Sequence, residues 1–249
     1  LVENFSGLEN YVRFLQDATA RRSIVNTLLF SVGAIALEMS AGTLFAVLVF
    51  QLPRRVGAII RPISTIPLLI APIVVGLIWR YIYDPRGLLY WFLGLFGVTT
   101  EHFPGVTGAS TALLSTVIAH AWEVIPFVVI VVTAGLVSIP TELYEAAYID
   151  GAGQFSAFRR ITFPLLKDVY MVILLISGVD TIKVFDIIYS LTGGGPNNST
   201  ISISLYAFNQ AFMQSNMGYA MTISVMAMII TFAVFGVPFV RRNRARARG

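Results

Sequence analysis

Five charged side chains lie within long apolar runs of this sequence, where an ionised group needs compensation. They are Glu38, Glu123, Asp180, Lys183 and Asp186. A charge in lipid is costly, so each should face protein or a water-filled cavity. Glu123 and Asp180 lie deepest in their runs, which makes them the better candidates for lining a transport pathway. Lys183 and Asp186 are spaced i,i+3, so we expect them to form structural ion pairs along a helix, with Asp180 as a further partner.

Residue types that most catalytic sites require are scarce. The chain has no cysteine, which excludes disulfides, thiol nucleophiles and Cys-ligated metals. Its two histidines, His102 and His120, are too few for a histidine-based metal site. The turn at Gly193–Pro196 lacks the Gly-Lys-Ser/Thr of a phosphate-binding loop. We therefore expect no enzymatic activity, no metal and no cofactor bound by this chain.

The elements that hold these residues are predicted to be membrane-spanning helices. Only 12% of the 249 residues are charged, about half the share in soluble domains, and the mean hydropathy is +0.78. An all-α, polytopic transmembrane helix bundle is therefore expected, because each apolar run has the roughly 20 residues that a span needs. The five predicted spans cover about 24–50, 58–83, 112–137, 169–191 and 218–240. Three prolines in the second predict a bent or broken helix.

The distribution of Lys and Arg between loops predicts the orientation. Basic residues concentrate after the first span, in the polar segment after the third, and in five arginines between 241 and 248. That side is predicted to be cytoplasmic, with the C-terminus on it. Five spans then put residue 1 outside, and we expect a sixth span upstream. The C-terminal arginines are expected to anchor the chain at lipid headgroups.

A polar segment, 140–164, interrupts the apolar runs on the predicted cytoplasmic side. Pro140 and the acidic residues after it favour a helix start, and two alanines propagate the helix. Gly151 and Gly153 are both expected to end it. A second short helical segment is predicted from Phe155 to Ile161. Two short helices joined at a glycine corner would suit insertion into a partner's groove.

The residues of this segment resemble a known signature. Glu145-Ala146-Ala147, with Asp150-Gly151-Ala152 and later Pro164-Leu165-Leu166, is similar to the EAA motif of type I ATP-binding-cassette importer permeases. Within that family, the residues most resemble the sugar-permease branch related to the maltose-system permease. Supporting stretches are Gly7–Tyr11, Asn26–Leu28, Trp122 with Pro126, and Leu191–Pro196. Asp168-Val169 departs from the pattern, since relatives usually place a proline there. The resemblance implies one permease domain over residues 1–249.

The resemblance also implies partners. In this family the motif forms coupling helices that dock on a dimeric cytoplasmic ATPase, which binds ATP and Mg and drives alternating access. A second homologous permease and an extracytoplasmic binding protein complete such an importer in the inner membrane of a bacterium or archaeon, and nucleic acid has no part in it. The implied coupling residues are Glu145, Ala146, Ala147, Asp150, Gly151 and Ala152.

An alignment with the maltose-system permease, continued without gaps on both sides of the motif, implies candidate substrate contacts in this chain. They are Glu123, Val124, Phe127, Ser177, Asp180, Thr181 and Leu68. A di- or oligosaccharide is the expected substrate. A phosphorylated polyol such as glycerol 3-phosphate is the alternative, and Lys183 is a cation that could meet it. A self-contained secondary transporter or channel has no need of a coupling motif, and is therefore the weaker interpretation.

Overall fold

A computed structural model describes residues 7–98, 101 and 103–236 of the chain, and every regular element in those ranges is helical. The α-helices are α1 Glu9–Gln16, α2 Ala18–Phe50, α3 Arg54–Ser64, α4 Pro72–Ile82, α5 Leu88–Gly94, α6 Ala112–Val137, α7 Thr141–Ile149, α8 Gln154–Ala157, α9 Phe163–Leu165, α10 Lys167–Ile182, α11 Asp186–Leu191, α12 Ile203–Phe208 and α13 Met217–Thr231. Short 3₁₀ segments cover Ile66–Leu69 and Gly105–Thr107, and π segments cover Phe158–Thr162, Asn209–Met213 and Phe232–Gly236. The predicted all-α fold is confirmed.

The described helices include three that are long and apolar enough to cross a membrane: α2, α6 and the stretch Met217–Gly236. The number rises to five if each of two broken helix pairs counts as one span. The predicted third span coincides with α6, and the predicted first span begins earlier than expected, at Ala18. The end of the fifth predicted span and the C-terminal arginines lie outside the described residues, as does His102.

The second predicted span is broken, as its prolines indicated. Ile70 and Ala71 both have extended backbone, with ψ of 132° and 135°. Proline forces the residue before it out of the helical region, and it suits the first helical position. Pro72 does both here, since Ala71 precedes it and α4 begins at it. Pro67 is the second residue of the short 3₁₀ segment, while Pro62 lies within α3.

The fourth predicted span is wrong in its second half. α10 ends at Ile182, and α11 begins only at Asp186. The break frees the Val184 carbonyl, which accepts a hydrogen bond from the buried Ser202 hydroxyl at 2.8 Å. The continuous helix that the ion pairs required is therefore absent. Asp180, Lys183 and Asp186 are all exposed, and within the described ranges no salt bridge joins these three side chains.

The chain folds as two compact units, each built from separate stretches of sequence. The first consists of the described parts of residues 1–34, 71–120 and 178–249. In it α4 packs against α11 so closely that a Cβ on Gly76 would lie 1.9 Å from the Ser190 hydroxyl oxygen. The Asn26 side chain donates to the carbonyls of Asn198 (2.9 Å) and Ile201 (3.2 Å), so α2 supports the glycine-rich turn after α11.

Asp17 links the start of α2 to later helices of the first unit through hydrogen bonds. Its Oδ1 accepts two backbone N–H groups of the first turn of α2, at 2.7 and 3.1 Å, as a helix cap does. Its Oδ2 accepts the hydroxyls of Tyr206 and Tyr219, the latter at 2.7 Å. Burial raises the pKa of the carboxyl, but the hydrogen bonds from both tyrosines and the cap outweigh it, so the pKa lies below its ordinary value.

The second unit, residues 35–70 and 121–177, has an apolar core that supports the polar segment. Its buried members are Ala46, Val128, Val129, Val132, Leu136, Ile139, Leu166, Tyr170 and Ile173. Glycines let its helices approach closely: a Cβ on Gly42 would lie 2.6 Å from Val128, and one on Gly135 would lie 2.6 Å from Leu166. Leu166 lies two residues after the polar segment, so the core anchors the C-terminal end of that segment.

Candidate functional site

The polar segment folds as two helical arms that meet at a glycine corner. The first arm is α7, Thr141–Ile149, preceded by Pro140 with extended ψ of 133° and carrying Glu142 in its first turn. The second arm consists of α8, the π segment Phe158–Thr162 and α9. We call residues 140–165, the polar segment extended by Leu165 to the end of α9, the coupling segment.

A Schellman motif ends the first arm. Gly151 takes a left-handed φ of +79°, its N–H bonds to the Tyr148 carbonyl at 3.1 Å, and the Ala152 N–H reaches back to the Ala147 carbonyl at 2.9 Å. These are the paired 5→2 and 6→1 bonds of that motif, which require a glycine-like conformation at its centre. Gly153 was predicted to end the helix too, and that is wrong. With φ −74° and ψ 167° it is the N-cap of α8.

Side-chain contacts join the second arm to the first and to the core below. The hydroxyls of Tyr144 on α7 and Thr162 in the π segment lie 2.8 Å apart and share a hydrogen bond. The Phe163 ring lies between those of Phe158 and Tyr170, with centroid separations of 6.5 and 5.4 Å. Packed side chains therefore connect the second arm with α7 and with α10.

The corner itself presents an apolar tip within a charged surround. Ile149 is 86% exposed and Phe155 is 79% exposed, on either side of the glycines. Glu145, Ala146, Asp150 and Gly151 are exposed as well, while Ala147 and Ala152 are half-buried. Arg159 and Arg160 give the second arm the opposite charge, and both are exposed. Such a surface can insert two apolar side chains into a groove and align carboxylates with basic groups on its rim.

Sequence reasoning missed three contributors to this surface. Ile149 and Phe155 form its apolar tip, and Tyr144 ties the arms together. The sequence did contain a signal for the first two. They flank a glycine pair inside a polar segment, where few apolar neighbours are available to bury them. Tyr144 could not be found this way, since its partner Thr162 is 18 residues away.

The candidate substrate contacts of the second unit are mostly withdrawn from solvent. Glu123 is 7% exposed and Ser177 is 3% exposed. Val124 and Phe127 are half-buried on the same helix as Glu123, whereas Leu68, in the 3₁₀ segment, is 38% exposed. A buried carboxylate near an aromatic ring is chemically suited to hydroxyl recognition.

The first unit holds the remaining two candidates, which differ from one another. Asp180 is exposed near the end of α10. Thr181 is fully buried, and its hydroxyl donates to the Gly178 carbonyl at 3.2 Å within the helix. Asp180 interacts electrostatically with His120 on α6, and the His120 ring lies 5.2 Å from that of Phe30. In the described ranges no three His, Cys, Asp or Glu residues are grouped as a metal site would need.

Long apolar helices with an exposed two-armed segment are the features expected of a membrane permease that a separate subunit drives. Residues 38–245 match the family described as "Binding-protein-dependent transport system inner membrane component". The chain belongs to this family and is thus an inner-membrane component of an ATP-binding-cassette import system that works with a binding protein, a second permease and a separate ATPase.

Named relatives and a solved structure agree with that assignment. The chain is 37% identical to the trehalose/maltose transport system permease protein MalF of Thermococcus litoralis over 97% of its own length and 81% of the relative's. It is 33% identical to the sn-glycerol-3-phosphate transport system permease protein UgpA of Agrobacterium fabrum, covering 96% and 81%. Its fold matches a chain of a bacterial alginate importer with a TM-score of 0.84 at 22% identity, over 97% and 85% of the two chains.

Proposed function

We propose that this chain forms part of the translocation pathway of an importer for a di- or oligosaccharide. The similarity to a trehalose/maltose permease supports a carbohydrate substrate. The candidate contacts fit one chemically, because Glu123 and Asp180 can accept hydroxyl hydrogens and Phe127 offers a ring face. Val124, Ser177, Thr181 and Leu68 complete the candidate pathway, with Thr181 the weakest because its hydroxyl is buried and already bonded.

The observation that carries the proposal is the exposed apolar tip of the coupling segment. Ile149 and Phe155 stand free of the core, as docking into a groove of a cytoplasmic ATPase requires. Glu145 and Asp150 then pair with basic groups of that partner, and Ala146, Ala147, Gly151 and Ala152 permit close approach. ATP and Mg bind to the partner, and this chain, one permease domain over residues 1–249, hydrolyses nothing itself.

A phosphorylated polyol is the second candidate substrate. The similarity to a glycerol-3-phosphate permease favours it, and so does the exposed Lys183 in the break between α10 and α11. A cation there is free to meet a phosphate, since the predicted ion pair with Asp186 does not form. A self-contained secondary transporter has no use for a docking tip, which argues against that class.

The experiment is uptake into proteoliposomes that contain this permease, its partner permease and the ATPase, with the cognate binding protein added outside. We expect uptake of one di- or oligosaccharide that requires both ATP inside and the binding protein. Uptake of glycerol 3-phosphate under the same requirement would select the alternative. Uptake that proceeds without ATP, driven by an ion gradient, would refute the proposal.

A further inference from the structure

Helix α3 has an exposed apolar stripe along one side. Val56, Ile59 and Ile63 are 43%, 64% and 59% exposed, and their spacing of three and four residues puts them on one helix face. Ala58 and Arg61 lie on the opposite face, and both are exposed too. The rest of the described second unit leaves this apolar stripe uncovered.

The helix is too short to be a span. Its 11 residues extend about 16 Å, against a hydrocarbon core of about 30 Å. Non-helical backbone bounds it on both sides: Pro53 has ψ of 140° before it, and Ile70 and Ala71 are extended after the 3₁₀ segment that follows it. The chain can therefore change direction at both ends of α3, and a stripe of this kind is typical of a helix lying in a membrane surface.

The charge on α3 is of one sign. Residues 51–69 contain three arginines and no Asp or Glu. The Arg61 guanidinium folds back along the polar face, with its nitrogens and carbon 3.5–3.7 Å from the place a Gly57 Cβ would occupy. Gly57 is buried beneath it. Arg61 thus places positive charge on the side opposite the apolar stripe, and Arg55, four residues before Ile59, flanks the stripe. Both positions suit contact with a layer of anionic headgroups.

We propose that α3 lies flat in the cytoplasmic leaflet, bound to anionic phospholipid. Its apolar stripe enters the acyl region, while Arg55 and Arg61 contact the lipid phosphates. The side of the membrane rests on the orientation inferred from the basic residues; the lipid contact rests on the stripe and the charge of α3. The first half of the predicted second span is, on this proposal, an interfacial helix.

The cysteine-free chain allows single-site spin labels on the assembled importer in bilayers. We expect Ile59→Cys to be accessible to oxygen, which concentrates in lipid, and shielded from a water-soluble nickel chelate. Ala58→Cys, on the opposite face, is the matched control and should show the reverse. A label at 59 shielded from both reagents would mean that a partner subunit covers the stripe, and one open to the nickel chelate would mean that it faces water. Either result overturns the proposal.

Charge variants test the choice of lipid. Adding phosphatidylglycerol to phosphatidylcholine bilayers should raise the ratio of lipid-inserted to water-exposed label at 59. Replacing either arginine, as Arg55→Gln or Arg61→Gln, should lower that ratio by about fivefold, and Arg61→Lys should retain it. Equal ratios with and without phosphatidylglycerol would refute anionic-lipid binding. Because these readouts need no substrate, they stand or fall separately from the proposed carbohydrate uptake.

Discussion

Transport should be most sensitive to substitution at Gly151, because of the backbone conformation of this residue. Its φ of +79° costs a residue with a Cβ about 1–2 kcal/mol, which reduces the population of the native corner about 5- to 30-fold. The penalty is purely conformational, because no atom lies within 4 Å of a Cβ at this position. Proline is worse: its fixed φ cannot reach +79°, and it removes the N–H that bonds to Tyr148.

The assay is ATP-driven uptake by the series Gly151→Asn, Gly151→Ala and Gly151→Pro, normalised to permease recovered in the membrane. Asparagine tolerates the left-handed region better than alanine, so activity should fall in the order Gly, Asn, Ala, Pro and be abolished by proline. Gly153→Ala is the matched control. It lies two residues away with φ −74° and equally open surroundings. Alanine is a poorer N-cap than glycine, so uptake should fall slightly and much less than in Gly151→Ala.

Two results would refute this reasoning. Suppose that Gly153→Ala reduced uptake as much as Gly151→Ala. The absence of side chains at the corner would then matter, and the left-handed backbone conformation of Gly151 would not. If Gly151→Pro transported normally, the Schellman geometry would have no part in coupling. Co-purification of the ATPase with each variant separates loss of docking from loss of the permease itself.

Three further perturbations have outcomes that the structure sets. Glu145→Lys should weaken ATPase association and abolish uptake, because it sets a positive charge against the basic groups that the carboxylate would meet; normal co-purification would contradict it. Because the pKa of Asp17 is lowered in the fold, its stabilisation is full above the ordinary carboxyl pKa and lost as pH falls through the lowered value. Asp17→Asn should therefore reduce the dependence of the importer's melting temperature on pH across that acidic range. Gly42→Ala should destabilise the permease by about 1–3 kcal/mol, since its Cβ would meet Val128 at 2.6 Å. Gly33→Ala on the same helix meets only ordinary contact at 3.4 Å and should be neutral or better by melting temperature.

Backbone features that depend on residues close together in the sequence were predictable. The glycine corner follows from Pro140, the alanines and Gly151, all within a dozen residues, and the break before α4 follows from Pro72. Long apolar runs also predicted α2 and α6. In each case the residues that determine the backbone are neighbours along the chain, so no knowledge of tertiary contacts was needed.

Features that depend on distant partners were not predictable. The break after Ile182 has no glycine or proline to announce it, and the bond from Ser202 to the Val184 carbonyl spans 18 residues. Asp17 finds Tyr206 and Tyr219 at separations of 189 and 202 residues. The roles of Gly151 and Gly153 differ for a related reason, because identical residues two positions apart take the conformations that their hydrogen bonds impose.

The π segment Phe158–Thr162 bears on how the family can diverge. Its turn closes between the Phe163 N–H and the Phe158 carbonyl, so it holds one residue more than an α-helical turn. Deleting one residue there would restore an α-helical turn and leave Phe155 facing nearly the same way relative to Leu166, because the wider π turn already absorbs the extra residue. The corner at Gly151 has no such spare residue. The π segment is therefore a place where a related permease can lose one residue and keep both its fold and the direction of its corner.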